Sequence, residues 1–218
     1  MATLSNFAPV DRDHSRRRSK LAYLFPAIGI FVAGCTTLVY QAVYDVDVSS
    51  VERRKAGEVK SFNDVHGHTF EDEYVRVTWT PTQTNLGVLL VNKTDSLQRV
   101  AWDEIIYIGP DGKSDHIVHQ SADLGAAMPP TSVAPGSTLR DFLEPARHTY
   151  WRSMGGPGHP YDAPLIANTF GPSEANVRSK MVHGTLTVLL PIAMNDTTRE
   201  YVFHFVIKGG VILRGYSS

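Results

Sequence analysis

Few side chains in this sequence stand at spacings that chemistry would use. His66-Gly67-His68, with Asp64, Glu71 and Asp72 nearby, puts two imidazoles at i and i+2, which share a face in an extended segment and so resemble part of a zinc site. His116 and His119 form a second pair. With nine histidines in 218 residues, chance pairs are expected, and spacing fixes no third ligand for either. Both pairs read as solvated or hydrogen-bonded histidines, so no metal and no other cofactor is expected. Gly109-Pro110-Asp111-Gly112-Lys113-Ser114 has the residue types of a phosphate-binding loop, but only two residues separate its glycines, where that loop needs four and a helix after it. A strand-like run, His116-Ile117-Val118-His119, follows instead, which makes the segment a hairpin turn. Asp103 and Glu104 read as an acidic turn after a strand. His204 falls on the strand face opposite Phe203 and Phe205 and reads as a structural histidine partly covered by a loop. The sequence holds no G-x-S-x-G and no H-E-x-x-H, and Asn92-Lys93-Thr94 and Asn195-Asp196-Thr197 are turns despite matching a glycosylation sequon. No catalytic residue is expected.

The one cysteine, Cys35, is placed differently. Arg16, Arg17, Arg18 and Lys20 precede an uncharged apolar run, Leu21 to Val32, which ends in the small residues Ala33 and Gly34 and then Cys35. Basic region, short apolar core and small-residue cleavage site make a secretory signal peptide over 1–34. Val32-Ala33-Gly34-Cys35 resembles the bacterial lipobox. The resemblance implies cleavage before Cys35, a diacylglycerol on its sulfur and acylation of the new amine. A single acyl chain binds a membrane only marginally, at about 0.8 kcal/mol per buried CH₂, and two or more make the anchor stable. An aspartate after the cysteine would favour inner-membrane retention; Thr36 favours the outer membrane. Two alternatives stay open. Leu21 to Tyr44 is uncharged over 24 residues, and about 20 span a bilayer, so an uncleaved signal anchor is the rival. Ser15-Arg16-Arg17-Arg18-Ser19-Lys20 resembles a twin-arginine export signal but has Lys20 where that pattern wants an apolar residue, which points to the ordinary Sec route.

Beyond the signal region, 42% hydrophobic and 20% charged residues are ordinary for a globular protein. The net charge of −1, with much of the basic excess lying ahead of Cys35, leaves the remainder mildly acidic and excludes a nucleic-acid surface. Of residues 35–72, Asp45 to Asp72 is polar and charged, with Glu52-Arg53-Arg54-Lys55 at its centre. Residues 35–72 read as a lipid-anchored tether carrying at most a short strand at 44–48. As a flexible coil such a tether has a typical end-to-end distance of about 33 Å.

From residue 73 to 218 the pattern is all-β. Tyr74 to Thr80 alternates, with Val75, Val77 and Trp79 on one face; Val88-Leu89-Leu90-Val91 is apolar on both faces, like a central strand. Pro110-Asp111-Gly112 and Pro135-Gly136 are turns. Thr185 to Leu190 pairs with Tyr201 to Ile207 across a polar loop at 195–199, and Gly209-Gly210 is a hairpin turn returning into Val211-Ile212-Leu213. Without a convincing helix, this predicts an antiparallel, Ig-like β-sandwich of about eight strands. Residues 145–180, with five prolines and four glycines, form one long irregular loop. Its aromatics, Tyr150, Trp151, Tyr161 and Phe170, are the candidate partner contacts, since aromatic side chains dominate interface hot spots.

Asn92-Lys93-Thr94-Asp95, Trp102-Asp103-Glu104, Asp111-Gly112, His119, Pro135-Gly136-Ser137, Asp141, Pro145, Leu190-Pro191 and the strand 201–207 follow one another in an order that resembles a group of uncharacterised bacterial lipoproteins, in which a lipobox and short tether precede a β-sandwich. The resemblance covers most of 70–208 and implies fold and address, with no activity attached. The expected protein is a membrane-anchored extracytoplasmic lipoprotein, held at the outer membrane and facing the periplasm. It would serve as a non-enzymatic binding or structural module whose partners are the membrane, through the lipid, and an envelope protein. A cell-envelope hydrolase acting on glycan or peptide is the alternative.

Overall fold

The computed structural model describes residues 37–63, 65, 67–119, 128–146, 165–166 and 170–217. They form an all-β fold: one large, open, antiparallel sheet of 13 strands. The strands are β1 (Thr37–Lys55), β2 (Glu58–Phe62), β3 (Thr69–Glu71), β4 (Val75–Pro81), β5 (Leu86–Asn92), β6 (Gln98–Val100), β7 (Ile106–Ile108), β8 (Ser114–His119), β9 (Thr131–Val133), β10 (Thr138–Pro145), β11 (Phe170–Gly171), β12 (Gly184–Met194) and β13 (Thr197–Ser217). The main path runs β11-β1-β13-β12-β7-β8-β10-β5-β4-β3, with β2 on β1 and the β6–β9 pair on β12. No helix among the described residues is long and apolar enough to cross a membrane.

Several strands follow directly from their patterns. In β4, Val75, Val77 and Trp79 are buried on one face. Strand β5 lies between β4 and β10, which suits its two-sided apolar sequence. The turn after β5 is built by Asn92, whose Oδ1 accepts from Thr94 N at 2.9 Å while its Nδ2 donates to the carbonyls of Ser96 and Val133. Gly112 and Gly136 take the positive φ their turns require (74° and 67°). The β12–β13 hairpin turns at Asn195-Asp196, with Met194 opposite Thr197 and Leu190 opposite Tyr201.

Four expectations need correction. The segment 35–72, expected as a tether, holds β1, β2 and β3, and β1 pairs along its length with β13. The charges at 52–55 are not a solvated linker: they stand on a paired strand. Strands number thirteen rather than about eight, because β1 and β2 lie in the segment read as a tether and β3, β9 and β11 carry too few residues for a period to register. The segment 145–180, expected as one long irregular loop, carries regular structure among its described residues. Leu165 and Ile166 are buried, Phe170–Gly171 pairs with β1, and a helix α1 (Glu174–Ser179) starts where the Ser173 side chain accepts from Asn176 N. Gly209-Gly210 is not a hairpin turn. The two glycines lie inside β13, next to a bulge at which Asp45 faces Gly209 while Val46 faces Ile207, leaving Lys208 as the extra residue.

Two bulges decide which residues of the long β1–β13 pair face inward. On β13, Tyr201, Phe203, Phe205 and Ile207 are buried. Their β1 partners are Arg53, Val51, Val48 and Val46, and the parity of the inward set changes at Ser49, the extra residue on β1. The second bulge, at Lys208, reverses the sides on β13. Ile212 now shares a side with Ala42, whereas Val211 and Leu213 turn to the outer face, where they are 65% and 52% exposed. Gly210 is required here, since a Cβ would lie 2.2 Å from the Val43 carbonyl oxygen. Phe170, opposite Gln41 on β1, adds a third exposed apolar side chain to that outer face.

The core joins strands that are remote along the sheet. Trp79 on β4 meets Phe203 and Phe205 on β13 edge to face, at centroid distances of 5.2 and 5.7 Å. Phe70 on β3 contacts Phe62, Tyr201 and Phe203. Two buried side chains place their polar tips on partners, Tyr107 donating to the Leu165 carbonyl at 3.0 Å and Trp102 Nε1 to Thr131 Oγ1 at 2.7 Å, whereas Trp79 Nε1 is buried without one.

Candidate functional site

Where β3 ends, Asp72 is drawn into the interior. Its side chain is 1% exposed and both oxygens are committed. Oδ1 accepts from the backbone N–H groups of Tyr74 and Val75, at 2.8 and 2.9 Å. Oδ2 accepts from Arg53 Nη1 at 2.6 Å and from the Tyr201 hydroxyl at 3.1 Å. Four donors on one carboxylate make it a fixed structural acceptor, holding the turn from β3 to β4 against β1 and β13. Burial pushes the Tyr201 phenol well above its ordinary range, and the Asp72 charge adds to the shift, so the hydroxyl keeps its proton. Arg53 also pairs with Glu73 at 2.8 Å; burial works against its charge, and the hydrogen bonds to Asp72 and Glu73 outweigh that and raise its pKa.

Next to this cluster, two guanidinium groups lie over the Tyr74 ring, Arg53 at 4.9 Å and Arg199 at 4.0 Å from its centroid. An open cleft of about 440 Å³ begins here, lined by Arg53, Lys55, Glu58, Val59, Lys60, Tyr74 and Arg199. The β1–β2 hairpin supplies one wall, with Arg53 directly opposite Lys60 and Lys55 opposite Glu58. On the far side of Asp72, Glu71 takes hydrogen bonds from Arg76 Nε at 2.5 Å and Lys93 Nζ at 2.6 Å, which hold its carboxyl at a pKa of about 2. Lys93 Nζ also donates to the Asp72 carbonyl. The arrangement therefore offers cations at a cleft edge, each carboxylate beneath them already tied to a positive group except Glu58, which pairs across the hairpin in register with Lys55.

The residues singled out from sequence lie elsewhere. Val32, Ala33, Gly34 and Cys35 are outside the described residues, as are Tyr150, Trp151, Tyr161, His66 and Asp64. Phe170 is on β11 and 49% exposed. His68 faces Asp47 at 3.5 Å, and no group of three potential metal ligands occurs among the described residues. His204 stands on the outer face as expected, with Thr187 Oγ1 at 3.2 Å from Nδ1 and Glu52 Oε1 at 3.7 Å from Nε2, so strand neighbours rather than a loop flank it. Asp103 and Glu104 are exposed in a 3-10 turn, Trp102–Glu104.

Sequence reasoning missed Arg53, Asp72, Tyr74, Arg199 and Tyr201 as a group. One signal for it was present: Arg199, Tyr201, Phe203, Phe205 and Ile207 alternate, so Arg199 belongs to the inward face of the strand rather than to the polar loop before it. No family model, curated protein or solved structure matches the chain.

Proposed function

We propose that this chain is a lipid-anchored, extracytoplasmic binding module of the bacterial cell envelope, attached through Cys35 after removal of residues 1–34. The observation that carries the reading is the place of Thr37–Tyr44. A membrane-spanning signal anchor would need these residues for the last third of its helix, but they belong to β1 and pair with β13. That leaves 16 uncharged residues, Leu21 to Thr36, ahead of the sheet, fewer than the roughly 17–25 that span a bilayer as a helix. A signal peptide of that length, ending at the lone cysteine, needs no span.

The outer face of the β1–β13 ribbon supports the same reading. Thr37 is two residues after Cys35, so a lipid on that sulfur would sit within about 10 Å of the ribbon's end. Val211 and Leu213 are exposed on this ribbon, and Phe170 on the adjoining β11. An apolar strip in water is a liability, whereas beside acyl chains it gains contact. We read the sheet as a sandwich, because the Trp79, Phe203 and Phe205 rings meet across strands that are not hydrogen-bonded neighbours. Outer-membrane attachment facing the periplasm, with an envelope protein as partner, fits Thr36 and the exposed Phe170.

Replacing the anchoring residue tests the reading. Cys35→Ser should leave a precursor that still begins at Met1 and migrates above the mature wild-type protein. Identical processing of wild type and variant would contradict the proposal.

A further inference from the structure

The cleft beside Tyr74 contains a cation without a counterion. Arg199 is 7% exposed, and its Nε and Nη1 are buried with no hydrogen-bond partner. No carboxylate lies within ion-pair distance of it among the described residues; its guanidinium stands 4.0 Å from the Tyr74 ring centroid and near enough to Tyr201 for its charge to act on that phenol. A buried guanidinium is costly unless paired, and a cation–π contact offsets only part of that cost. Arg53, the neighbouring guanidinium, is already satisfied by Asp72 and Glu73. Lys55 and Lys60, both exposed on the hairpin wall, have no ion-pair partner among the described residues. The lining therefore holds three cations with no carboxylate at ion-pair distance among the described residues, Arg199 over the Tyr74 ring, Lys60 over the Phe62 ring and near Glu73, and Lys55, against one lining carboxylate, Glu58.

We propose that this cleft binds a phosphate monoester group, with Arg199 as the buried fork and Lys55 and Lys60 as point charges at the mouth. A guanidinium takes two oxygens of a carboxylate or a phosphate in parallel, and the choice between them falls to the remaining charge. Two lysines beside the fork suit a group carrying close to two negative charges, as a phosphate monoester does at neutral pH, better than a singly charged carboxylate. Tyr74 and the exposed Val59 supply an apolar surface for whatever the phosphate is attached to.

The site itself stands on its own residues. Its source of ligand rests on the anchoring reading above. Strand β1 starts two residues after Cys35, and Arg53 is 16 residues further on, about 50 Å at roughly 3.3 Å per residue. Standing away from the membrane, a strand of that length would hold the cleft beyond the headgroups of the leaflet that holds the lipid, and the phosphate would then arrive on a soluble molecule such as a sugar phosphate.

The test uses the full chain in a non-ionic detergent, with inorganic phosphate and glucose 6-phosphate as probes and the thermal midpoint as readout. Either probe at about 100 times its Kd should raise the wild-type midpoint by several degrees. Arg199→Met should melt no lower than wild type without ligand, because the guanidinium it removes is unpaired, and should lose the ligand-dependent rise. Lys60→Gln, at an exposed position that folding does not depend on, should weaken binding about tenfold. No rise in wild type up to about 10 mM of either probe, or an undiminished rise in both variants, would overturn the site. The same chain in nanodiscs containing phosphatidic acid should keep the full rise on adding glucose 6-phosphate. A rise abolished there would overturn the soluble source and assign the headgroup instead. Cys35→Ser should bind like wild type in detergent, so failure of the anchor and failure of the cleft are read separately.

Discussion

Replacing Asp72 by asparagine removes a charge and keeps the shape, so it isolates what the buried carboxylate contributes. In the variant, the amide oxygen can still accept from the backbone N–H groups of Tyr74 and Val75, now at 2.8 and 2.9 Å. The amide nitrogen then replaces Oδ2 and meets two donors, Arg53 Nη1 at 2.6 Å and the Tyr201 hydroxyl at 3.1 Å. Asp72 is buried and Arg53 half-buried, with side-chain exposures of 1% and 13%, so solvent screening gives only limited relief. Removing one partner of a buried pair costs about 3–5 kcal/mol. Arg53 keeps its bond to Glu73, and the Tyr201 hydroxyl can rotate, which places the expected loss at the lower end, about 3 kcal/mol. For a chain of this size that is a fall in melting temperature of about 6–12 °C. Thermal unfolding of the full chain in detergent at pH 7 measures it, and the double variant Asp72→Asn, Arg53→Met supplies the control. With both charges gone, the double variant should lose clearly less than the two single losses added together. A change in Asp72→Asn of under about 0.5 kcal/mol, or strict additivity in the double variant, would refute the role given to the pair.

Two further outcomes follow from the same geometry. Gly210→Ala places a methyl group against the Val43 backbone oxygen, which no rotamer avoids, and should cost about 1–3 kcal/mol. Hydrogen exchange should speed up at residues 209–217 while the β12–β13 pairing stays protected. Tyr201 has a folded-state pKa raised by burial and by Asp72, so the stability it contributes is complete below its unfolded value of about 10 and is lost as pH rises beyond it. Wild-type stability should therefore decline above about pH 10, and Tyr201→Phe should flatten that decline while lowering stability at pH 7.

The strands that could be read in advance are those whose inward residues keep one parity. Val75, Val77 and Trp79 alternate without a break, and Thr185–Leu190 and Tyr201–Ile207 flank a turn short enough to fix their register. Strand β1 hides its pattern because Ser49 is an extra residue. Val46 and Val48 are inward before it and Val51 and Arg53 after it, so a strict period of two fails across the segment. Four charged residues in a row at 52–55 then resemble a linker, although Arg53 continues the inward set begun by Val51. On β13 the Lys208 bulge and the glycine pair look like the end of a strand, and they are a change of face within one. The binding cluster was obscured for the same reason: Arg53 and Asp72 fell in the presumed tether and Arg199 in the presumed turn. No local period brings together residues 53, 72 and 199; only the pairing of β1 with β13 and the return of β3 does.

We propose Cys35 as the mature N-terminus and the residue that carries the anchor. Intact-mass analysis of the protein extracted from membranes of a bacterial expression host tests it most directly. The expected species is a chain beginning at Cys35 with the added mass of a diacylglycerol and an amide-linked acyl group. A chain beginning at Met1 with no added mass would contradict it.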